Sequence, residues 1–195
     1  LYGTARLYNE KKSIFEKTGK TIKLNYGAEI HLLSDHHSPL LKQKTLVLNV
    51  FNKEGYTNLC KLLSLSHKES KTKAFLSLET LLTQDLSGLF AIVPMRGGLD
   101  FFLSQEEELK KLKEKMKGEV YLALTKSFHH SSDHLIKKTL DLSQRTEVSP
   151  LFSQDIFMNH RSEKAFHDLL TAIRVNERVD ECLEHHFPNG ERSFH

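Results

Sequence analysis

At 195 residues with 38% hydrophobic content, the chain suits one domain, and a domain of this size buries about 70% of its unfolded surface. Its mean hydropathy of -0.43 is that of a polar globular chain, no apolar run approaches the ~20 residues of a membrane helix, and the N-terminus is neither a signal nor a transit sequence. A net charge of +3 falls short of the concentrated basic face of a dedicated nucleic-acid binder, and two cysteines, Cys60 and Cys182, make no disulfide framework, so a reducing, cytoplasmic setting is expected.

In chain order, TARLYNEKKSIFEKTG (4–19) predicts a helix carrying Leu7, Ile14 and Phe15, with Gly19 as its stop. TIKLNYGAEIHLL (21–33) predicts a strand region broken by Gly27, and SDHHSPLLKQK (34–44) a polar loop. Leu46 to Phe51 is a short apolar strand, followed by a turn at Asn52-Lys53-Glu54-Gly55. The helix predicted from Gly55 to Ser66 places Tyr56, Leu59, Cys60, Leu62 and Leu63 near helical spacing. After a charged connector (67–74), SLETLLTQ (77–84) predicts a short helix with Ser77 or Thr80 near its start. GLFAIVP (88–94) is a buried-type strand, and Arg96-Gly97-Gly98 a turn signal with no nucleotide-site character.

SQEEELKKLKEKMKG (104–118) predicts a helix capped by Ser104 and stopped by Gly118. A strand (119–125), a helix (131–147), a strand (149–158) and a helix (162–176) follow. The last helix sets Phe166, Leu169, Leu170 and Ile173 on one side. The tail from Glu181 reads as short, polar and irregular, although Cys60 and Cys182 are both expected within helical segments. The charges of 106–117 read as a solvated helix face held by i,i+4 pairs. The histidine pairs His36-His37, His129-His130 and His185-His186 read as surface or loop residues, because neighbours in sequence point in different directions.

Helices of a dozen residues between short apolar strands predict an α/β fold of parallel β-α units, either an open sheet or a closed barrel. Periodicity leaves that choice open.

The wording of NKEGYTNLCKLLSLS (52–66) resembles a segment of the PHP (polymerase and histidinol phosphatase) domain of bacterial C-family DNA polymerases. That family comprises the DNA polymerase III alpha subunit and its error-prone relatives. The resemblance continues in register through 1–33, 77–94, 119–128, 149–181 and FPNGERSFH (187–195), and is nearest the error-prone branch at SLETLLTQDLSGLFAIVP (77–94). It implies a PHP-type distorted (β/α)7 TIM-like barrel over 1–186 and a connection toward the polymerase palm at 187–195. The family's first strands, with their His-x-His motif, have no counterpart here, so Leu1 is expected to lie inside a longer protein.

The resemblance also implies a cluster of metal ions held by His and carboxylates, which activates water and polarises a phosphoryl oxygen. Glu29, in Tyr26-Gly27-Ala28-Glu29, and Asp155 match carboxylate positions. The histidine after the YLALT strand falls at Ser127, with His129 as a substitute candidate. An Asp-x-His motif is replaced by Asp155-Ile156-Phe157, and Phe157 cannot ligate a metal. A vestigial Mg, Mn or Zn ion on Glu29 and Asp155 is therefore the most that carries over, with no cofactor expected in this fragment.

The leading expectation is a degenerate PHP domain with a structural or partner-contact role. Its partners are the remainder of the polymerase chain, replication or repair proteins, and DNA through the full polymerase. The alternative is an active metal-dependent phosphoesterase or 3′–5′ exonuclease. A free-standing nucleic-acid-binding module fits the charge least.

Overall fold

Period-two alternation in the strands sets the architecture of the computed structural model, which describes residues 3–33, 44–68, 75–126, 130–183, 186 and 189–193. The elements are α1 (Thr4–Thr18), β1 (Gly27–Leu33), β2 (Lys44–Val50), α2 (Lys53–Ser66), β3 (Phe75–Ser77), α3 (Leu78–Thr83), β4 (Leu89–Val93), α4 (Leu99–Leu103), α5 (Glu106–Lys115), β5 (Val120–Leu124), α6 (His130–Thr146), β6 (Ser149–Phe152), a 3-10 turn (Arg161–Glu163) and α7 (Lys164–Val175). The six strands form one sheet in the order β3-β1-β2-β4-β5-β6.

The α/β class is as expected, but the sheet is mixed. β4, β5 and β6 are parallel neighbours joined through α4–α5 and α6. β2 runs antiparallel to β1 and β4. Only residues 34–43 separate β1 from β2, a span short of the dozen or so that a parallel crossover needs. Among the described residues the sheet is open, with β3 and β6 at its edges, so the expected barrel closure is not seen in them.

One sheet face carries Ile30, Leu32, Leu46, Leu48, Leu89, Ala91, Val93, Val120 and Leu122, all buried. Against it pack Leu59 and Leu62 of α2, Leu78 and Leu81 of α3, Phe101 and Phe102 of α4, Leu109 and Leu112 of α5, and Leu142 of α6. Each such side chain contributes about 1.5–3 kcal/mol when fully removed from water. The opposite face holds Glu29, His31, Val47, Asn49, Phe90, Ile92 and Tyr121, none of them buried, together with buried Thr45 and Ala123. α1 buries no residue at all.

Several local expectations are corrected. The strand begins at Gly27, not Thr21, because β2 ends at Val50 and residues 21–25 have no strand partner among the described residues. Gly27 brings the strands close: a Cβ there would lie 2.4 Å from Asn49 Oδ1. Gly55 is not a turn residue but lies inside α2, which Asn52 caps by accepting from the Gly55 N–H at 2.9 Å. A Cβ at Gly55 would stand 1.9 Å from the Gly88 carbonyl oxygen, so this glycine permits a close backbone crossing.

Ser77 is the cap of α3, accepting from the Thr80 N–H at 3.0 Å. Ser104 instead closes α4, a helix the sequence reading lacks, by donating to the Phe101 carbonyl at 2.9 Å, and α5 starts at Glu106. The ion pairs on α5, Lys110–Glu107 and Lys111–Glu108, are spaced i,i+3 instead of i,i+4. β6 stops at Phe152, well short of Met158. Cys182 lies beyond α7, outside any helix, and both cysteines are free. Among the described residues no helix is long and apolar enough to cross a membrane.

Candidate functional site

Glu29 and Asp155 sit on opposite flanks of the sheet. Glu29 is exposed in the middle of β1, opposite Val47, on the sheet face turned away from the described core cluster. Asp155 follows β6, and β1 and β6 are four places apart in the strand order, roughly 19 Å at ~4.8 Å per strand. In the open sheet the strand that carries Glu29 and the strand that precedes Asp155 are therefore well separated. Ser127 and His129 lie outside the described residues, as do His36, His37 and His185.

Asp155 has a protein partner. Arg192, almost fully buried, donates from Nη1 to Asp155 Oδ2. The Arg192 guanidinium carbon lies 5.9 Å from the centre of the Phe157 ring, within cation–π range. The backbone completes the arrangement: the Arg192 carbonyl accepts from the N–H groups of Phe157 (2.9 Å) and Met158 (3.1 Å), and Met158 bridges to Ser193. In the turn after β4, the pKa of Arg96 is lowered by desolvation and by the charge of Arg192, against an opposing pull from Asp155.

Sequence reading missed a second cluster, where the tail meets α7. Asp168 is buried, and its Oδ2 takes an ion pair from Lys164 one helical turn earlier. Its Oδ1 is buried with no hydrogen-bond partner among the described residues. His186 Nδ1 stands 4.0 Å from Asp168 Oδ2, and His186 Nε2 is 3.1 Å from the Cys182 sulfur. His186 is thus a loop histidine, as expected, but its side chain is packed into the protein instead of lying on the surface. Burial lowers the pKa of the neighbouring His167, with Asp168 pulling it back up. The only sequence signal for this cluster is a pair of i,i+4 spacings, Lys164/Asp168 and Cys182/His186.

The order Cys182, His186, Asp168 is that of a nucleophile, a base and an orienting group. The geometry does not sustain that chemistry. The 4.0 Å gap exceeds a hydrogen bond, and the fully buried sulfur has the environment of an inert thiol. Among the described residues no group of three His, Cys, Asp or Glu is placed to hold a metal ion. With Asp155 bound to a guanidinium and Glu29 across the sheet, the described residues do not fit the metal centre that the sequence resemblance implies.

No established family profile matches the chain. Individual proteins do. An error-prone DNA polymerase of Pseudomonas aeruginosa is 30% identical over 172 residues, covering 88% of this chain and 15% of that protein. One from Pseudomonas fluorescens is 27% identical over 193 residues, with 98% of this chain and 17% of that protein covered. The chain is a homologue of part of the error-prone DNA polymerases. A third such polymerase, from Bdellovibrio bacteriovorus, is 24% identical over 196 residues, again covering 98% of the chain and 17% of that protein. The chain thus spans about a sixth of the length of the error-prone polymerases it matches.

Proposed function

We propose that the chain is part of the PHP domain of an error-prone C-family DNA polymerase and serves that enzyme as a structural element, without hydrolytic chemistry of its own. The observation that carries this reading is Asp155, a carboxylate at a family ligand position that is held by buried Arg192 beneath Phe157. A guanidinium fixed on Asp155 Oδ2 repels a divalent cation and takes up part of the carboxylate's capacity to bind one.

Helices packed on one sheet face only, with the other face half-exposed, support a further reading: the open sheet is a sector of the distorted (β/α)7 barrel. In that arrangement the half-exposed face looks inward. Residues 1–186 then belong to the domain, and 187–195 lead toward the palm. The partners are the remainder of the polymerase, DNA through that enzyme, and replication or repair proteins in the cytoplasm.

The test is enzymatic. The purified chain, given Mn²⁺ or Mg²⁺, is expected to show background hydrolysis of p-nitrophenyl phosphate and single-stranded DNA, and no primer extension. Stoichiometric bound metal with turnover that disappears in Asp155→Ala would overturn the structural role.

A further inference from the structure

The modest charge of the whole chain hides an uneven distribution. From Thr4 to Lys23 the cations Arg6, Lys11, Lys12, Lys17, Lys20 and Lys23 stand against Glu10 and Glu16 alone. That segment carries a net charge of +4, more than the +3 of the entire chain. Among the described residues Lys12 is the one cation of the six with an acidic partner, exposed Glu16 at 3.9 Å. On α5, by contrast, Lys110 and Lys111 are held by Glu107 and Glu108 at 2.8 and 2.6 Å. Among the described α-helices, α1 is also the one that buries no residue.

Aromatic rings stand between these charges. Tyr8, the pair Lys11-Lys12 and Phe15 follow an i, i+3/i+4, i+7 spacing, which sets them on one side of α1. Both rings are open to solvent, Tyr8 at 56% and Phe15 at 54%. Their backbone positions lie about 10.5 Å apart along the axis, at 1.5 Å per residue. Lys11 falls one turn after Leu7 and one turn before Phe15, so a cation interrupts the apolar stripe.

We propose that α1 is a contact surface for single-stranded DNA, with phosphates held at Lys11 and Lys12 and bases stacked on Tyr8 and Phe15. The choice of nucleic acid rests on the polymerase reading above, and the place of contact is added to it. Charge complementarity selects the occupant. Cations without acidic partners are free to displace the counterions of a phosphate backbone, and an unstacked base offers its π-face to an aromatic ring. A duplex keeps its bases stacked inside and would leave Tyr8 and Phe15 without a role. An anionic bilayer would attract the same charge, but it takes up a continuous apolar face, and Lys11 breaks the one on α1.

Fluorescence anisotropy of a labelled oligothymidylate, titrated with the 195-residue chain at several salt concentrations, tests the assignment. With two to four phosphates neutralised, affinity should fall roughly 7- to 50-fold between about 50 and 200 mM salt. Lys11→Glu with Lys12→Glu should weaken binding at least about tenfold, and Tyr8→Ala or Phe15→Ala at least about fivefold. Lys11→Arg with Lys12→Arg, and Lys110→Glu on α5, should leave it within about twofold, because they keep the charge of α1. These substitutions spare the core, and circular dichroism checks that each variant keeps its helix content.

No binding at about 100 μM protein in low salt would overturn the contact surface and leave the polymerase reading intact. Equal weakening by Lys110→Glu would reduce the contact to diffuse attraction, and a duplex bound as tightly as the oligothymidylate would remove the stacking; either overturns it. Phosphatidylserine vesicles bound in preference to the oligothymidylate would assign α1 to a membrane and overturn it too. The structural reading fails on a separate result, bound metal with turnover.

Discussion

The sheet with α2 to α6 and the region from α7 to Ser193 follow opposite rules of burial. In the first, leucines and phenylalanines fill one side of the sheet and the charges of α5 lie in water, paired along the helix. In the second, Asp168, Arg192 and Cys182 are buried, while Phe166, Leu170 and Ile173 face solvent. The first region has the pattern of a core that supports itself. The second is held internally by ion pairs and leaves an apolar helix face in solvent.

That contrast can be broken at either end. The largest effect is expected at Leu48, fully buried where β2 meets α2. Leu48→Ala should cost about 2–5 kcal/mol, read from the urea midpoint at constant slope. A loss below about 1 kcal/mol would contradict a self-supporting core. Next comes Arg192→Ala, which removes a buried cation from a carboxylate that is itself a third exposed. After discounting for that exposure, about 1–3 kcal/mol should be lost. No loss would mean that the pair does not hold the tail.

A smaller effect separates the regions by pH. Burial keeps the pKa of His167 below its ordinary 6.5 in the folded chain. The unfolded chain therefore binds more protons as pH falls through 6.5, so stability is full above that value and declines below it. Urea midpoints at pH 7.5 and 5.5 should differ more in the parent chain than in His167→Gln, and an equal difference would remove His167 from the account. The smallest effect is expected at Ile173. Ile173→Ala should stay within about 0.5 kcal/mol of the parent in the isolated chain, because the side chain touches mostly water there. A core-sized loss would erase the contrast.

Much of the first region was legible in the sequence and little of the second. The helices of α1, α2 and α6 announce themselves through apolar spacing and stop signals such as Gly19, which takes the left-handed conformation at φ 68°. Three-residue β3 and five-residue α4 are too short to show a period, and only pairing with β1 and packing at Phe101 and Phe102 give them form. The direction of β2 depends on a partner distant in sequence. Phe166, Leu169, Leu170 and Ile173 were correctly read as one face, but periodicity says which residues share a side and not which side is inside.

The candidate site divides in the same way. Asp155 and Phe157 could be picked out by their place in a family pattern. Arg192, 37 residues from Asp155, could not, because nothing local ties an arginine in a polar tail to that carboxylate. The Asp168–His186–Cys182 cluster likewise depends on the tail folding back over α7.

The proposed role of Asp155 is to serve an ion pair and not a metal. It is tested most directly by the Tm of the purified chain after chelation and after addition of millimolar Mn²⁺. A ligand that binds only the folded state raises Tm by mass action, so the account predicts the same Tm in both conditions, for the parent chain and for Asp155→Ala. A rise with Mn²⁺ in the parent chain that vanishes in Asp155→Ala would contradict it.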